Sequence, residues 1–371
     1  MVKVLQILNG LHRGGMETFV MNLYRAVDKE EIQFDFLLNQ PGGDYEKEVR
    51  SYGANIFYFG SRRKDGLINY FHNLDIFFKE HSSEYIAVHY HESTLTSIEP
   101  LYFAKKYGIE RRLLHAHSSS VSGSRLHYLT HYLNKLFVKR MATHYLGCSQ
   151  KALEWFYNGT GVMSKSHMIP NGINVSNYVY NESKRRIVRK EFGIEETELI
   201  IGHVGRFMWI KNHKFLIEIF EKIQERVESS RLLLIGKGPL LEQTKQLVDS
   251  LGIGKSVLFL GVRTDITDIL QAIDVVIMPS IYEGLPVSLV EAQAAGVLVY
   301  GSDTISKDCA ITPEMHFISL HENASNWANQ VLKGLDGYQR STSSAEYVRN
   351  AGFDIKNIAN QLTRLYCGTI I

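Results

Sequence analysis

The sequence predicts an α/β protein made of two Rossmann-like, doubly wound domains. Its 371 residues exceed one ordinary hydrophobic core and fit two. Strand-like and helix-like segments alternate along the chain, the pattern of parallel sheets covered by helices. That rhythm breaks at 168-MIPNGINVSNYV-179, where a Pro-Asn-Gly turn and a polar stretch read as a linker. The expected division is 1–172, 173–353, and a last helix within 354–371 that is open to either domain and is assigned to the first.

In the first series VKVLQILN is a buried strand, GGMETFVMNLYRAV a helix and IQFDFLLN a strand. DYEKEVRSY is helical, NIFYFG a strand, LINYFHNLDIFFKEH a helix, and YIAVHYH and RRLLHAH strands. LHYLTHYLNKLFVKRMA is read as one helix over 126–142, followed by the strand THYLGCS and the short helix KALEWFYN. The second series runs LIIGHVGRF, NHKFLIEIFEKIQERV, RLLLIGKG, PLLEQTKQLVDSLG, SVLFLG, DITDILQAI, DVVIMPS, PVSLVEAQAAG and VLVYGSD. Ligands of open α/β sheets bind beyond the carboxyl ends of the strands. The strand-to-helix junctions therefore carry the functional reading.

Bulk properties exclude several classes. A formal net charge of +2 does not suit a dedicated nucleic-acid binder. Charge is uneven, however: Lys105, Lys106, Arg111, Arg112, Arg125, Lys135, Lys139 and Arg140 face the single acid Glu110 within 105–140. Such a face suits phosphates or an anionic membrane surface. Cys148, Cys309 and Cys367 are far apart and read as reduced cytosolic thiols. No signal peptide and no window of about 18–20 apolar residues is visible, so a cytoplasmic protein, peripheral on the membrane at most, is expected.

Four junctions stand out. In 9-NGLHRGGMET-18, Gly14 and Gly15 lie where small residues let backbone amides approach an anion, or simply form a tight turn. In 203-HVGRFMWIKNH-213, Gly205 permits close approach, Arg206 and Lys211 suit a diphosphate, and Asn212 is placed to cap the next helix. In 234-LIGKGPL-240, Lys237 adds charge to a glycine turn that is equally readable as structural. In 279-PSIYEGLPVSLVEAQAAG-296, Pro286 suits a first helical turn, and the amides of Leu285, Val287 and Ser288 would be free for an anion. Glu283 and Glu291, seven residues apart, would then turn toward hydroxyl groups, because a carboxylate beside small packed residues needs donors.

These pieces, with HAHSSS and IPNGIN, occur in an order that resembles the retaining glycosyltransferases of family four over roughly residues 9–300. The tail SDTISKDCAIT is similar to that of polysaccharide-assembly members. The resemblance implies the GT-B fold, two Rossmann-like domains facing across a cleft. It implies that Glu283 holds donor-sugar hydroxyls, Glu291 the ribose, and Arg206 and Lys211 the departing diphosphate. Gly14, Gly15, Gly205, Lys237, Gly284, Leu285, Pro286 and Val287 would line the donor, His117 would lie near the transferred sugar, and Glu17 near the acceptor. The partners implied are a nucleotide-sugar donor, UDP-linked, and a saccharide or lipid-linked acceptor.

No Asp-x-Asp occurs, so no metal or other cofactor is expected. The pairs His89/His91 and His115/His117 nevertheless have metal-ligand spacing on a strand. Membrane contact is expected through 105–140, where the helix 126–142 mixes aromatics, leucines and cations. Rival readings are a sugar-nucleotide epimerase, a catalytically silent sugar-nucleotide-binding partner of a polysaccharide assembly, and a metal hydrolase built on the histidines. Fold alone does not choose among them.

Overall fold

The computed structural model describes residues 1–118 and 124–368. These divide into two compact units, Met1–Ile173 with Ile355–Ile371, and Asn174–Asp354.

Among the described residues, the first unit contains a seven-stranded sheet. Its strands are β1 (Val2–Leu8), β2 (Ile32–Leu38), β3 (Ile56–Tyr58), β4 (Tyr85–Glu92), β5 (Arg111–Ala116), β6 (His144–Gly147) and β7 (Ser166–Met168). They lie in the order β3-β2-β1-β4-β5-β6-β7, and every pairing is parallel. The order reverses between β1 and β4, which places a crevice at their carboxyl ends. Strand period two divides β1 between two cores: Leu5 and Ile7 enter one cluster, Val4 and Leu8 the other. The second cluster also takes Ile355, Ile358, Leu362 and Tyr366, so the last helix (Ile355–Cys367) covers that face of the first sheet. This helix places its apolar residues at helical spacing, one stripe against the sheet.

The second unit has, among its described residues, a six-stranded parallel sheet. Its strands are β8 (Leu199–Val204), β9 (Ser230–Ile235), β10 (Val257–Gly261), β11 (Val275–Met278), β12 (Leu298–Ser302) and β13 (Met315–Ile318). The order β10-β9-β8-β11-β12-β13 repeats the first topology, with its reversal between β8 and β11.

Two local expectations change. The segment read as one helix over 126–142 is two, Arg125–Lys135 and Val138–Met141. At the break the amides of Leu136 and Phe137 bond three residues back, to Leu133 and Asn134, and this tighter turn ends the α-helical ladder. The helix expected from Leu67 starts earlier, at Arg62, because Ser61 caps Lys64 N and the chain kinks at Gly66 with φ +79°.

Candidate active site

In the second unit the junctions after β8, β9 and β11 are tied together by backbone contacts. Gly205 N donates to Ile235 O at 2.9 Å, Phe207 N to Lys237 O at 3.1 Å, and Ile281 N to Ile210 O at 2.8 Å. Gly236, at φ +142°, lies so close that a Cβ there would sit 2.1 Å from Gly205 O. The glycines of LIGKGPL thus serve this stitching, while Lys237 stays exposed.

Asn212 does not cap the helix His213–Gln224 with its side chain. It sits in the left-handed region at φ 53°, ψ 46°, away from the extended backbone of an N-cap. Its Nδ2 instead donates to Pro279 O at 3.1 Å, tying the Lys211 turn to the Glu283 turn. Gly205 is closely flanked: a Cβ there would meet Lys211 Cε at 3.3 Å and His203 Nε2 at 3.0 Å, and those side chains would have to give by a few tenths of an ångström.

Lys211 and Glu283, which the resemblance gives to different parts of the donor, form an ion pair at 2.6 Å. Glu283 also bridges Ile305 through its carbonyl, which accepts Ser306 N at 3.1 Å, so its backbone is held to that segment. Arg206 is exposed and has no side-chain partner among the described residues. It is the cation left available at this junction.

Pro286 is the N-cap of the helix Val287–Ala294 and not its first helical residue. Among the described residues, the amides of Gly284, Leu285, Val287 and Ser288 donate to no protein acceptor, the last two because they open the helix. Backbone N–H groups in this position favour an anion. One and a half turns on, Glu291 Oε1 accepts the Tyr178 hydroxyl at 2.7 Å. Burial raises the Glu291 carboxyl to about 7, with the Tyr178 bond pulling the other way. Tyr178 lies in the segment read only as linker, and no spacing rule connects it to Glu291.

In the first unit, Gly14 is the N-cap of the helix Gly15–Ala26 and offers no side chain. A Cβ on Gly14 would meet Glu17 Oε2 at 2.3 Å, so this glycine makes room for Glu17, whereas Gly15 opens onto free space. Burial raises the Glu17 carboxyl, opposed by its own backbone N–H. Glu17 lines a cavity of about 630 Å³ with Asn9, Arg62, His91, Glu92 and Ser97. Glu92, absent from the expected site, accepts the Tyr90 hydroxyl at 2.6 Å and is raised to about 7, chiefly by burial.

His117 follows β5, and its amide donates to Glu92 O at 2.8 Å. His89, His91 and His115 project from the same sheet face, because β4 and β5 alternate and His91 registers with His115. Their ligand-type atoms lie within 4.8 Å of one another. Each of these nitrogens already has a partner: His89 bonds Tyr366 Oη and His115, His115 bonds Ile169 O, and His91 bonds Gln6 Oε1 and His117. A cation here would have to break those bonds. Ser119 and Ser120 of HAHSSS lie outside the described residues.

Comparison with known proteins agrees with this architecture. Residues 13–177 match the family described as Glycosyltransferase Family 4, and residues 184–350 match Glycosyl transferases group 1. The chain is similar to EpsF of Bacillus subtilis, 33% identical over 98% of this chain and 96% of that one. It is 23% identical to CapH of Staphylococcus aureus, a capsular polysaccharide biosynthesis glycosyltransferase, over 99% of both chains. Among solved structures it resembles Anabaena HepE in complex with UDP, with a TM-score of 0.79 and 16% identity over 99% of this chain and 100% of that one. That likeness places the fold in the GT-B class.

Proposed function

The chain belongs to family 4 of the glycosyltransferases, and we propose that it moves a sugar from a UDP-linked donor to a saccharide or lipid-linked acceptor, with retention at the anomeric carbon and without a metal. The observation that carries this reading is the β11 junction of the second unit. The free amides of Gly284, Leu285, Val287 and Ser288 suit a diphosphate, and Glu283 and Glu291 stand on either side of them in sequence. UDP is the nucleotide bound in HepE, and assembly of a surface polysaccharide follows the function named for CapH.

Breaking the anomeric C–O bond builds positive charge on the sugar ring and negative charge on the leaving diphosphate. Arg206, Lys211 and the helix amides meet the negative charge. A front-face attack forms the new C–O bond on the side the diphosphate leaves, and the leaving phosphate oxygen takes the acceptor proton. No covalent Glu283 adduct is required. In the first unit Gly14 and Gly15 are assigned to the donor, His117 to the neighbourhood of the transferred sugar and Glu17 to the acceptor.

The test is calorimetric titration with UDP, GDP and ADP in chelator. UDP alone should bind tightly, and Glu291→Ala should weaken it about 10- to 150-fold, the loss of one charged hydrogen-bond partner at roughly 1.5–3 kcal/mol. Equal binding of all three, or unchanged binding in the variant, would contradict the donor assignment.

Membrane contact is part of the same proposal. Leu126, Leu129, Leu133 and Leu136 are 67%, 57%, 51% and 71% exposed, an unusual cost for a helix whose only buried residue is His131. The basic face is smaller than the sequence count: Lys105 bonds Arg140 O, Lys106 pairs with Asp75, and Arg112 bonds Met141 O. Arg125, Lys139 and Arg140 remain exposed; residues 119–123 of the segment lie outside the described ones. No described helix is long and apolar enough to cross a membrane. The protein should float with phosphatidylglycerol vesicles, and Leu129→Glu with Leu133→Glu should abolish flotation while UDP binding persists.

A further inference from the structure

The carboxyl ends of β1, β2 and β4 converge on the cavity of the first unit. Asn9 follows β1, Asn39 follows β2 and Glu92 ends β4, and all three line its volume of about 630 Å³. That volume is within the range of about 300–1,000 Å³ for small-molecule sites. The cavity lies at the reversal of strand order between β1 and β4, where an open sheet takes its ligand. Glu17, from the first turn of the helix Gly15–Ala26, lines it too.

The charge of Glu92 is not matched within the protein. Its Oε1 accepts the Tyr90 hydroxyl at 2.6 Å, and the amides of Ser93 and Thr94 lie beside the carboxyl. These neutral donors hold its position. Arg62, the cation acting on Glu92, is already engaged: Nη2 pairs with Glu99 and Nη1 donates to Thr96 O at 3.0 Å. Neither Glu17 nor Glu92 forms an ion pair among the described residues. The other basic side chains of the lining, Arg63 and His127, are solvent-exposed. Among the described residues the side chains of Asn9, Asn39 and Ser93 have no hydrogen-bond partner.

We infer that Glu92 contacts the acceptor and, together with Glu17, restricts this cavity to a sugar that carries no negative charge. The inference rests on the function proposed above, which assigns Glu17 to the acceptor. Partly buried carboxylates need hydrogen-bond donors, and sugar hydroxyls supply them without adding charge. The Asn9 and Asn39 amides are free to serve the same ring as donors and acceptors. A uronic acid would instead set its own carboxylate against two others, with no free buried cation to receive it. Such like-charge contacts are how a site rejects the wrong ligand. A merely structural Glu92 would serve Tyr90 alone, and its amide isostere would do the same.

Methyl glucoside and methyl glucuronide differ in one carboxylate and make the first probe pair; methyl galactoside and methyl galacturonide make the second. Each is titrated by saturation-transfer NMR with UDP present at pH 8, where the Glu92 carboxyl, raised to about 7, is ionised. Wild type should bind at least one neutral glycoside, and its uronate counterpart at least about tenfold more weakly, the penalty of a like charge. Glu92→Gln keeps an oxygen for Tyr90 and removes the charge, so it should narrow that ratio. Adding Glu17→Gln should close it to within about threefold. Glu92→Ala should weaken the neutral glycoside about tenfold, the loss of a charged hydrogen-bond partner. Equal binding of glycoside and uronate by wild type overturns the selectivity, and that comparison needs no variant. A ratio unchanged in Glu92→Gln also overturns it and leaves Glu92 as the partner of Tyr90 only. Binding of no neutral glycoside overturns the acceptor contact. Calorimetric UDP titration of the wild type separates these failures from that of the proposed function, which falls only if UDP does not bind.

Discussion

Glu283→Ala should lower kcat by about 10- to 150-fold, with a smaller effect on the affinity for UDP. The range is the free energy of one charge-assisted hydrogen bond to a sugar hydroxyl, roughly 1.5–3 kcal/mol, converted to a rate. UDP lacks the transferred sugar that Glu283 is proposed to hold, so nucleotide binding should change little. The 2.6 Å pair with Lys211 supplies a second, independent consequence. Both side chains are less than one-fifth exposed, at 16% and 18%, so removing either leaves a poorly solvated charge. Each single alanine variant should lose up to about 3 kcal/mol of stability in urea titration, at the lower end of a broken buried pair. The double variant should recover part of that loss, because no lone charge is left behind. Turnover should not recover under the proposed roles, Lys211 on the diphosphate and Glu283 on the sugar, because their catalytic losses would then add. Recovery of turnover along with stability in the double variant would reduce the pair to a structural latch.

The contrast explains which parts of the site were legible in the sequence. Strand and helix alternation is a local pattern, and it placed the parallel strands and their junctions. The glycines of LIGKGPL and the helix after Pro286 were also visible, since turn chemistry and free helix amides are properties of a few consecutive residues. Pairings between distant segments were not. Tyr178 reaches Glu291 across 113 positions and Tyr366 reaches His89 across 277, and neither spacing has a periodicity to detect. Asn212 was misread for a different reason. Asn before a helix is a common cap, but here the left-handed backbone turns its amide to Pro279. Glu92 belongs to no motif that marks it as part of a site. Its place in the first unit's cavity, beside His91 at the end of β4, depends on segments distant in sequence that close around that strand end. The basic segment was overcounted because sequence gives charges and not their partners.

Nucleotide affinity should rise with pH between about 6 and 8 and then level off, and Glu291 should be the cause. Its carboxyl lies at about 7 because burial penalises the charge, and the Tyr178 hydroxyl is the group that favours ionisation. Ribose hydroxyls donate to the ionised form more strongly than to the neutral one. Binding must therefore release the proton below about pH 7, and the cost of release disappears above it. UDP has a phosphate that titrates nearby, so the quantity to follow is the difference between wild type and Glu291→Gln, which shares the ligand but has no carboxyl. That difference should grow as pH rises through 7. Tyr178→Phe should move its midpoint upward, since the bond that holds the carboxyl down is gone. Stability has the opposite sign. The unfolded chain gives up this proton near 4.5, while the folded chain keeps it until about 7. Over that window the folded state binds more protons, and the contribution of Glu291 to stability falls as pH rises. Glu291→Gln should therefore be more stable relative to wild type at pH 8 than at pH 5, while binding UDP less well at pH 8. A single substitution that moves stability and affinity in opposite directions is the mark of a carboxylate kept for its ligand, and parallel losses in both would assign Glu291 to the packing of its helix.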